Sequence, residues 1–244
     1  KSSDSLDKFL CLYYIMNAHS IILGVIVIII LYIVYMYYFG NNTTSYLAGL
    51  HDAKTSMSIS SSNLPAGSSA DYTYSVWVYV NNWNYRLGEK KTILQRAPMT
   101  QIAFDGNLNN IIFTLAVSPN SGTTPVNHKC TLENVPLQAW TNVIMTLNGR
   151  SMDIYMDGKL VRTCVLPGVP YVTHGTNLEL TPGGGFYGYT GNLQYINKAI
   201  NPREAWAIYK EGYGGSSWFS NIVNKYRIKL AFMEDNREIN SIEI

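Results

Sequence analysis

Residues 21–39, IILGVIVIIILYIVYMYYF, contain no charged side chain. As a helix this stretch would span about 28 Å, close to the roughly 30 Å hydrocarbon core of a bilayer. Tyrosines crowd its C-terminal end, as in the aromatic belts at membrane interfaces. A cleaved signal peptide would have a shorter apolar region, and a core helix would rarely be so uniformly apolar. The stretch therefore predicts a single-pass transmembrane helix with the lipid bilayer as a partner.

The predicted anchor follows a short N-terminal flank, residues 1–20, whose acidic and basic residues do not specify a membrane orientation. The side chains expected to contact lipid are Ile21, Ile22, Leu23, Val25, Ile26, Val27, Ile28, Ile29, Ile30, Leu31, Tyr32, Ile33, Val34, Tyr35, Tyr37, Tyr38 and Phe39.

After the anchor, residues 40–53 form a polar linker, and residues 54–212 change to short apolar runs separated by turn residues. Residues 72–80 (YTYSVWVYV) alternate with period two, which is typical of a strand with one face on a core. Similar runs predict further strands at 91–96, 101–104, 110–117, 127–135, 140–147, 151–156 and 159–166. A tail at 213–244 predicts one or two more. Short strands at this spacing favour an antiparallel two-sheet sandwich or jelly roll.

Local signals punctuate this pattern. Asn148-Gly149 and Asp157-Gly158 predict tight hairpin turns, because these residues tolerate a positive φ. Asn201 followed by Pro202 and Glu204 predicts one short helix that ends near Gly212.

Four motifs resemble those of concanavalin A-like, laminin-G-like domains: residues 74–78 (YSVWV), 140–143 (WTNV), 153–161 (DIYMDGKLV), and a closing element made of 185–193 (GFYGYTGNL) and 197–204 (NKAINPRE). The resemblance implies a mainly β, antiparallel jelly-roll sandwich. The arrangement of an apolar segment before this domain is also similar to membrane-associated minor capsid proteins of large icosahedral DNA viruses. That resemblance implies a virion location between the capsid and the internal membrane, with other capsid or membrane proteins as partners.

The sequence offers no catalytic residues and no cofactor site, so we expect a protein that is not an enzyme. Glycosidases of this fold need two closely placed carboxylates, and their Glu-x-Asp-x-x-Glu strand is absent. The four histidines lack metal-ligand spacing. A net charge of +2 also argues against a nucleic-acid partner.

Weaker signals fall in two loops. Asp105, Asn107 and Asn109 are the best calcium candidates, although a single carboxylate fits a plain hairpin turn as well. The segment Trp83, Asn84, Tyr85 and Arg86 combines aromatic and polar side chains. It could contact a glycan or a protein partner, or Trp83 could cover the edge of the sandwich.

Cys130 and Cys164 both lie in predicted strands. Sequence alone leaves open whether they form a disulfide or stay as two buried thiols.

Two functions follow from these observations. The leading hypothesis is a membrane-anchored structural protein that links a viral capsid shell to the internal membrane. The alternative is a membrane-bound lectin that recognises carbohydrate on a host or partner surface.

Overall fold

The computed structural model describes residues 22–35, 44–64, 70–118, 124–173, 175–214, 229–234 and 237–243. The chain divides into two compact units, Lys1–Asn42 and Thr43–Ile244. In the first unit, residues 22–35 form helix α1, and its large apolar side chains are all exposed. Residue 21 and residues 36–39 of the predicted anchor lie outside the described residues. Among the described residues, no helix combines the length and apolar character needed to cross a membrane.

The second unit is built almost entirely from strands. They are β1 (Thr44–Ala48), β2 (His51–Asp52), β3 (Met57–Ile59), β4 (Thr73–Asn82), β5 (Lys91–Arg96), β6 (Thr100–Phe104), β7 (Ile111–Ser118), β8 (Val126–Leu132), β9 (Thr141–Asn148), β10 (Ser151–Met156), β11 (Lys159–Val165), β12 (Val169–Pro170), β13 (Leu178–Leu180), β14 (Tyr187–Ile196), β15 (Lys229–Glu234) and β16 (Arg237–Glu243). One helix, α2 (Pro202–Glu211), follows β14, and short 3-10 turns occupy Ser61–Asn63 and Pro182–Gly184.

Two seven-stranded antiparallel sheets form a sandwich, which confirms the predicted mainly β, jelly-roll-like architecture. The first sheet has the order β1-β14-β4-β9-β10-β11, with β2 also paired to β14. The second sheet has the order β12-β7-β6-β5-β13-β3, with β8 also paired to β7. Strands β15 and β16 pair with each other as a separate two-stranded sheet.

The core lies between the sheets because alternate residues of each strand point inward. Tyr74, Val76 and Val78 of β4 are buried there, as are Phe104 of β6 and Phe113 of β7. Burying a side chain of this size contributes about 1.5–3 kcal/mol. The side chains on the two inner faces therefore supply most of the stability of the sandwich.

Three tyrosines form the polar part of this core. The rings of Tyr72 and Tyr74 meet edge to face at 5.4 Å, and Tyr195 lies 5.1 Å from Tyr74. The hydroxyls of Tyr72 and Thr100 are 2.6 Å apart, which gives the buried phenol a hydrogen bond across to β6. Burial raises the pKa of both Tyr72 and Tyr74 well above the usual range.

A disulfide joins the two sheets at one edge. Cys130 lies in β8 of the second sheet and Cys164 in β11 of the first, with their Cα atoms 6.3 Å apart. Thirty-four positions separate the two cysteines along the chain, so the bond closes a long loop.

Strands β1 and β2 lie inside residues 40–53, the range predicted as a linker. Both pair with β14, so the sandwich begins about ten residues before the predicted boundary at residue 54. A strand of five residues at a sheet edge has too few alternating positions to stand out from a polar linker.

The predicted turns and helix are confirmed. Asp157 and Gly158 both have positive φ in the β10–β11 turn. Gly158 also lies against α2: a Cβ there would come within 2.9 Å of the Trp206 side chain. The helix α2 starts at Asn201 with a capping box, in which Asn201 and Glu204 satisfy each other's backbone N–H groups.

Candidate functional site

Helix α2 covers part of the outer face of the first sheet. Its buried residues Ala205 and Ile208 join Ile144, Tyr155 and Ile196 in a small apolar cluster outside the main core. Lys198 forms a salt bridge with Glu204 at 2.6 Å. The Lys198 ammonium and the backbone N–H of Asn201 both donate to the Glu204 carboxylate and hold its pKa below the usual range. The helix is therefore fixed at its N-terminus and leaves the other part of the sheet face open.

The open part of this face carries an aromatic pocket, lined by Leu50, Tyr79, Trp140, Tyr189 and Tyr213. Its volume is about 430 Å³. Tyr79 of β4 and Tyr189 of β14 are directly opposed across the ladder, so their rings share one face of the sheet. Trp140 precedes β9, and Tyr213 follows the end of α2.

Ring contacts fix the geometry of this pocket. The rings of Trp140 and Tyr213 are parallel, 4.5 Å apart with an interplanar angle of 1°. The Tyr79 ring lies 5.5 Å from Trp140. On the α2 side, Trp77 stacks on Tyr209 at 5.5 Å and meets the edge of Tyr213 at 6.3 Å. Each such pair adds about 0.5–1.5 kcal/mol beyond area burial, so the pocket wall is held in place.

A glycine makes the close approach of Tyr213 to the sheet possible. A Cβ at Gly191 would lie only 2.7 Å from the backbone oxygen of Tyr213 and 3.6 Å from the Trp140 ring. Any larger residue at this position of β14 would push the chain after α2 away from Trp140.

The pocket is apolar in its walls but has polar atoms at their rims. The hydroxyls of Tyr79, Tyr189 and Tyr213 form no hydrogen bond with any other residue that the structure describes, and the Trp140 indole N–H forms none either. Tyr189 and Tyr213 are about half exposed. None of the described residues that line the pocket is charged. Aromatic faces with a few free donors and acceptors suit an uncharged ligand with apolar patches and hydroxyl groups.

Trp83 and Asn84 of the predicted contact segment come together at a second cavity of about 380 Å³, which also includes Asn81, Asn82 and Gln138. Trp83 packs against the core, with its ring 5.7 Å from Phe104 and at right angles to it. The Lys91 ammonium lies 4.4 Å from the centre of the Trp83 ring. Trp83 therefore covers the edge of the sandwich, and Asn84 remains exposed beside it.

Tyr85 and Arg86 face a different neighbour, the turn at Pro182–Gly184. Arg86 donates to the carbonyl oxygen of Gly183 at 2.5 Å and forms a salt bridge with Glu89 at 2.8 Å. Tyr85 meets the edge of Tyr187 at 6.4 Å. These contacts hold the loop, and a role of the four predicted residues in ligand contact stays a prediction.

Lys91 is buried between the β4–β5 loop and the β6–β7 loop. Its ammonium donates to the carbonyl oxygens of Gly106 at 3.3 Å and Glu89 at 3.5 Å. Burial lowers the pKa of Lys91, and the nearby Arg86 charge lowers it further. The ammonium thus links the β4–β5 and β6–β7 loops from inside.

The predicted calcium residues are used by a turn. The Asp105 carboxylate accepts the backbone N–H of Asn107 at 2.8 Å and of Leu108 at 3.1 Å, and these bonds hold its pKa below the usual value. Asn109 donates from its side chain to the carbonyl oxygen of Val135. In the part of the chain that the structure describes, no three His, Cys, Asp or Glu side chains are grouped as a metal site would need.

The pocket residues Tyr79, Trp140, Tyr189 and Tyr213 were not predicted as site residues. The alternation of 72–80 does place Tyr79 on the face opposite Val78, which was the available signal. The pairing of Trp140 with Tyr213, across 73 positions of sequence, depends on the course of α2 and has no local signal.

Comparison with known proteins agrees with this architecture. The sequence profile of the concanavalin A-like lectin/glucanases superfamily matches residues 51–204. No curated protein sequence matches the chain.

Among solved structures, the ligand binding domain of botulinum neurotoxin serotype D in complex with N-acetylneuraminic acid has a TM-score of 0.55 at 12% identity, covering 72% of this chain and 48% of that one. A mutant of HCR/D has a TM-score of 0.52 at 11% identity, covering 66% and 41%. The binding domain of botulinum neurotoxin DC in complex with rat synaptotagmin II has a TM-score of 0.46 at 15% identity, covering 60% and 39%. The chain thus spans less than half the length of these solved chains, and the likeness shows the fold alone.

Proposed function

Because the chain belongs to the concanavalin A-like lectin/glucanases superfamily, we propose that it is a carbohydrate-binding protein whose ligand enters the aromatic pocket. The observation that carries the proposal is a group of four aromatic rings, of which the three tyrosine hydroxyls and the Trp140 indole N–H form no hydrogen bond with any described residue. Sugar rings present one apolar face and several hydroxyls, and Tyr and Trp offer both an apolar body and a polar tip. The described lining of the pocket is uncharged, which favours a neutral saccharide.

We propose binding without cleavage. Glycoside hydrolysis requires two carboxyl groups placed on either side of the scissile bond. Among the residues that the structure describes, no Asp or Glu lines the aromatic pocket. A sugar held there would meet phenol hydroxyls and an indole N–H, which can orient it but cannot supply an acid and a base.

The neurotoxin serotype D domain, which was solved with the sugar acid N-acetylneuraminic acid, supports carbohydrate binding by this fold in general and not the choice of a neutral saccharide. None of the solved structures reported above is described as a capsid protein. The capsid-linking role implied by the virion resemblance therefore stays a prediction without support from these comparisons.

We also propose that residues 21–39 insert into lipid and display the sandwich at a membrane surface. The described part of this stretch, residues 22–35, is helical, uncharged and exposed on every face. Exposure of such a helix to water is unfavourable, because each Å² of apolar surface transferred from water into lipid lowers the free energy by about 25 cal/mol. Flotation of the full chain with liposomes tests this step, and an Ile28→Arg variant should float less; equal flotation of that variant would contradict the anchor.

Glycan-array binding of the full chain in a neutral detergent tests the carbohydrate proposal, followed by titration of the best ligand against two variants. Tyr189→Ala removes one pocket wall. Tyr46→Ala removes another exposed tyrosine of the first sheet, on β1, and serves as the matched control. We expect Tyr189→Ala to weaken binding at least about tenfold, because the ligand would cover the Tyr189 ring as partners cover aromatic hot spots, and Tyr46→Ala to change it little. Equal affinities of the two variants, or no glycan bound at all, would refute the proposal.

A further inference from the structure

The outer face of the second sheet carries a polar row that the aromatic pocket does not involve. Its members lie directly opposite one another on five neighbouring strands: Glu179, Gln95, Gln101, Thr114 and Lys129. Directly opposed residues of an antiparallel ladder point to the same face. The next row along the strands, Ile102, Phe113 and Cys130, is buried in the core. The polar row therefore faces outward.

Hydrogen bonds orient the centre of this row. The Lys90 ammonium donates to the side-chain oxygen of Gln101. The side-chain nitrogen of Gln101 donates to Gln95 at 3.0 Å. The lysine that precedes β5 is therefore held over the sheet face, beside the middle strand of the row.

Thr114 lies between Gln101 and Lys129 in the row, and its hydroxyl is buried without a hydrogen-bond partner among the described residues. It lines a cavity of about 210 Å³ together with Gln95, Gln101 and Asn127. A buried polar group left unpaired costs about 1–3 kcal/mol, so the Thr114 hydroxyl would gain from a hydrogen-bonding group that enters this cavity.

A lysine lies on each side of Thr114: Lys129 is opposite it on β8, and the Lys90 ammonium contacts Gln101, which is opposite it on β6. Lys90 and Lys129 are both exposed, and neither is in a salt bridge within the described part of the chain. Glu89, which precedes Lys90 in the sequence, forms a salt bridge with Arg86. Glu179 lies at the far end of the row. Burial lowers the pKa of Lys90, and the charge of Lys129 lowers it further, which indicates that the two ammonium groups repel each other.

We propose that Lys90, Thr114 and Lys129 form a second binding site, which takes the anionic group of an acidic saccharide. The sulfate or carboxylate would lie between the two ammonium groups and accept the Thr114 hydroxyl. The side-chain amides of Gln95 and Asn127, beside it in the same cavity, are suited to the sugar hydroxyls. This site lies on the other sheet from the aromatic pocket and does not depend on it.

Calorimetric titration of the full chain in neutral detergent tests the proposal with three probes: a sulfated heparin disaccharide, its desulfated form and sodium sulfate. We expect the sulfated disaccharide to bind at least about tenfold more tightly than either of the others, because charge-assisted bonds and amide bonds act together only for that probe. Equal affinity for the desulfated form, or for sulfate ion alone, would overturn it.

Paired variants separate this site from a general charge effect. Lys90→Gln with Lys129→Gln should weaken binding of the sulfated disaccharide at least about tenfold. Lys159→Gln with Lys210→Gln removes the same charge from exposed positions on β11 and α2 and should leave binding unchanged. An equal loss in both pairs would refute the site. Lys90→Arg with Lys129→Arg should restore binding, and Tyr189→Ala should not affect it.

Discussion

The two outer faces of the sandwich belong to different sheets. The strands of both sheets alternate between inward and outward residues, but the two faces carry different chemistry. The outer face of the first sheet presents Tyr79, Tyr189 and Trp140, and α2 covers another part of it. The second sheet presents glutamine, threonine and lysine side chains in a row across its strands. Alternation requires only that one face be apolar enough to form the core. The other face is free to vary, and this is where we expect binding specificity to reside.

The largest effect on stability should come from loss of the disulfide that joins the two sheets. Cys130→Ser with Cys164→Ser removes the link between β8 and β11 and should lower the free energy of unfolding by about 2–4 kcal/mol, since the unfolded chain regains the freedom of a long loop. Thermal unfolding with and without a reductant measures this. The wild type should lose stability on reduction and the double variant should not; a reductant effect of equal size in both would contradict the account.

A smaller change should break the first face and spare the second. Gly191→Ala places a Cβ within 2.7 Å of the Tyr213 backbone oxygen, so we expect it to separate Tyr213 from Trp140 at a cost of about 1–3 kcal/mol. Neutral-glycan binding should be lost, while binding of the sulfated disaccharide should persist. Gly49→Ala, where a Cβ meets nothing within 4 Å, is the matched control. If Gly191→Ala kept its glycan affinity, glycan binding would not depend on the contact between Tyr213 and Trp140.

Alkaline pH should act on the core between the faces. Burial raises the pKa of Tyr72 and Tyr74 above the ordinary value of 10.0, so the unfolded chain loses these protons first as the pH rises. The contribution of the two tyrosines to the free energy of unfolding is complete below pH 10. Above pH 10 it falls by up to about 1.4 kcal/mol per tyrosine for each unit that the pH rises. Denaturant unfolding between pH 9 and pH 11.5 measures this slope. Tyr72→Phe should have a shallower slope; an unchanged slope would argue against burial of its phenol.

The smallest effect concerns the helix that distinguishes the first face. Asn201→Ala removes the capping side chain of α2 and should cost about 1 kcal/mol. Arg203→Ala, an exposed residue in the same first turn, should change the free energy of unfolding by less than about 0.5 kcal/mol. Chemical denaturation of both variants would decide whether the cap matters, and equal stabilities would contradict it.

Local signals predicted much of this fold. The strand β5 has the predicted bounds, and the helix begins at the predicted cap, because alternation and capping depend on neighbouring residues. The short edge strands β1 and β2 were missed because so few residues cannot show a period. The pocket was missed for another reason. Tyr79, Trp140 and Tyr213 come from three separate elements, and only the strand register and the path after α2 bring their rings together.

The indole N–H signals of the five tryptophans offer the most direct test of the carbohydrate proposal. In an NMR titration of the full chain with the best neutral glycan, the account predicts that the Trp140 signal moves most, since its ring forms a wall of the aromatic pocket. Trp83, packed on Phe104 and Lys91 at the sandwich edge, should move little. A titration that shifts Trp83 and leaves Trp140 unchanged would contradict the account and place the ligand at the edge cavity instead.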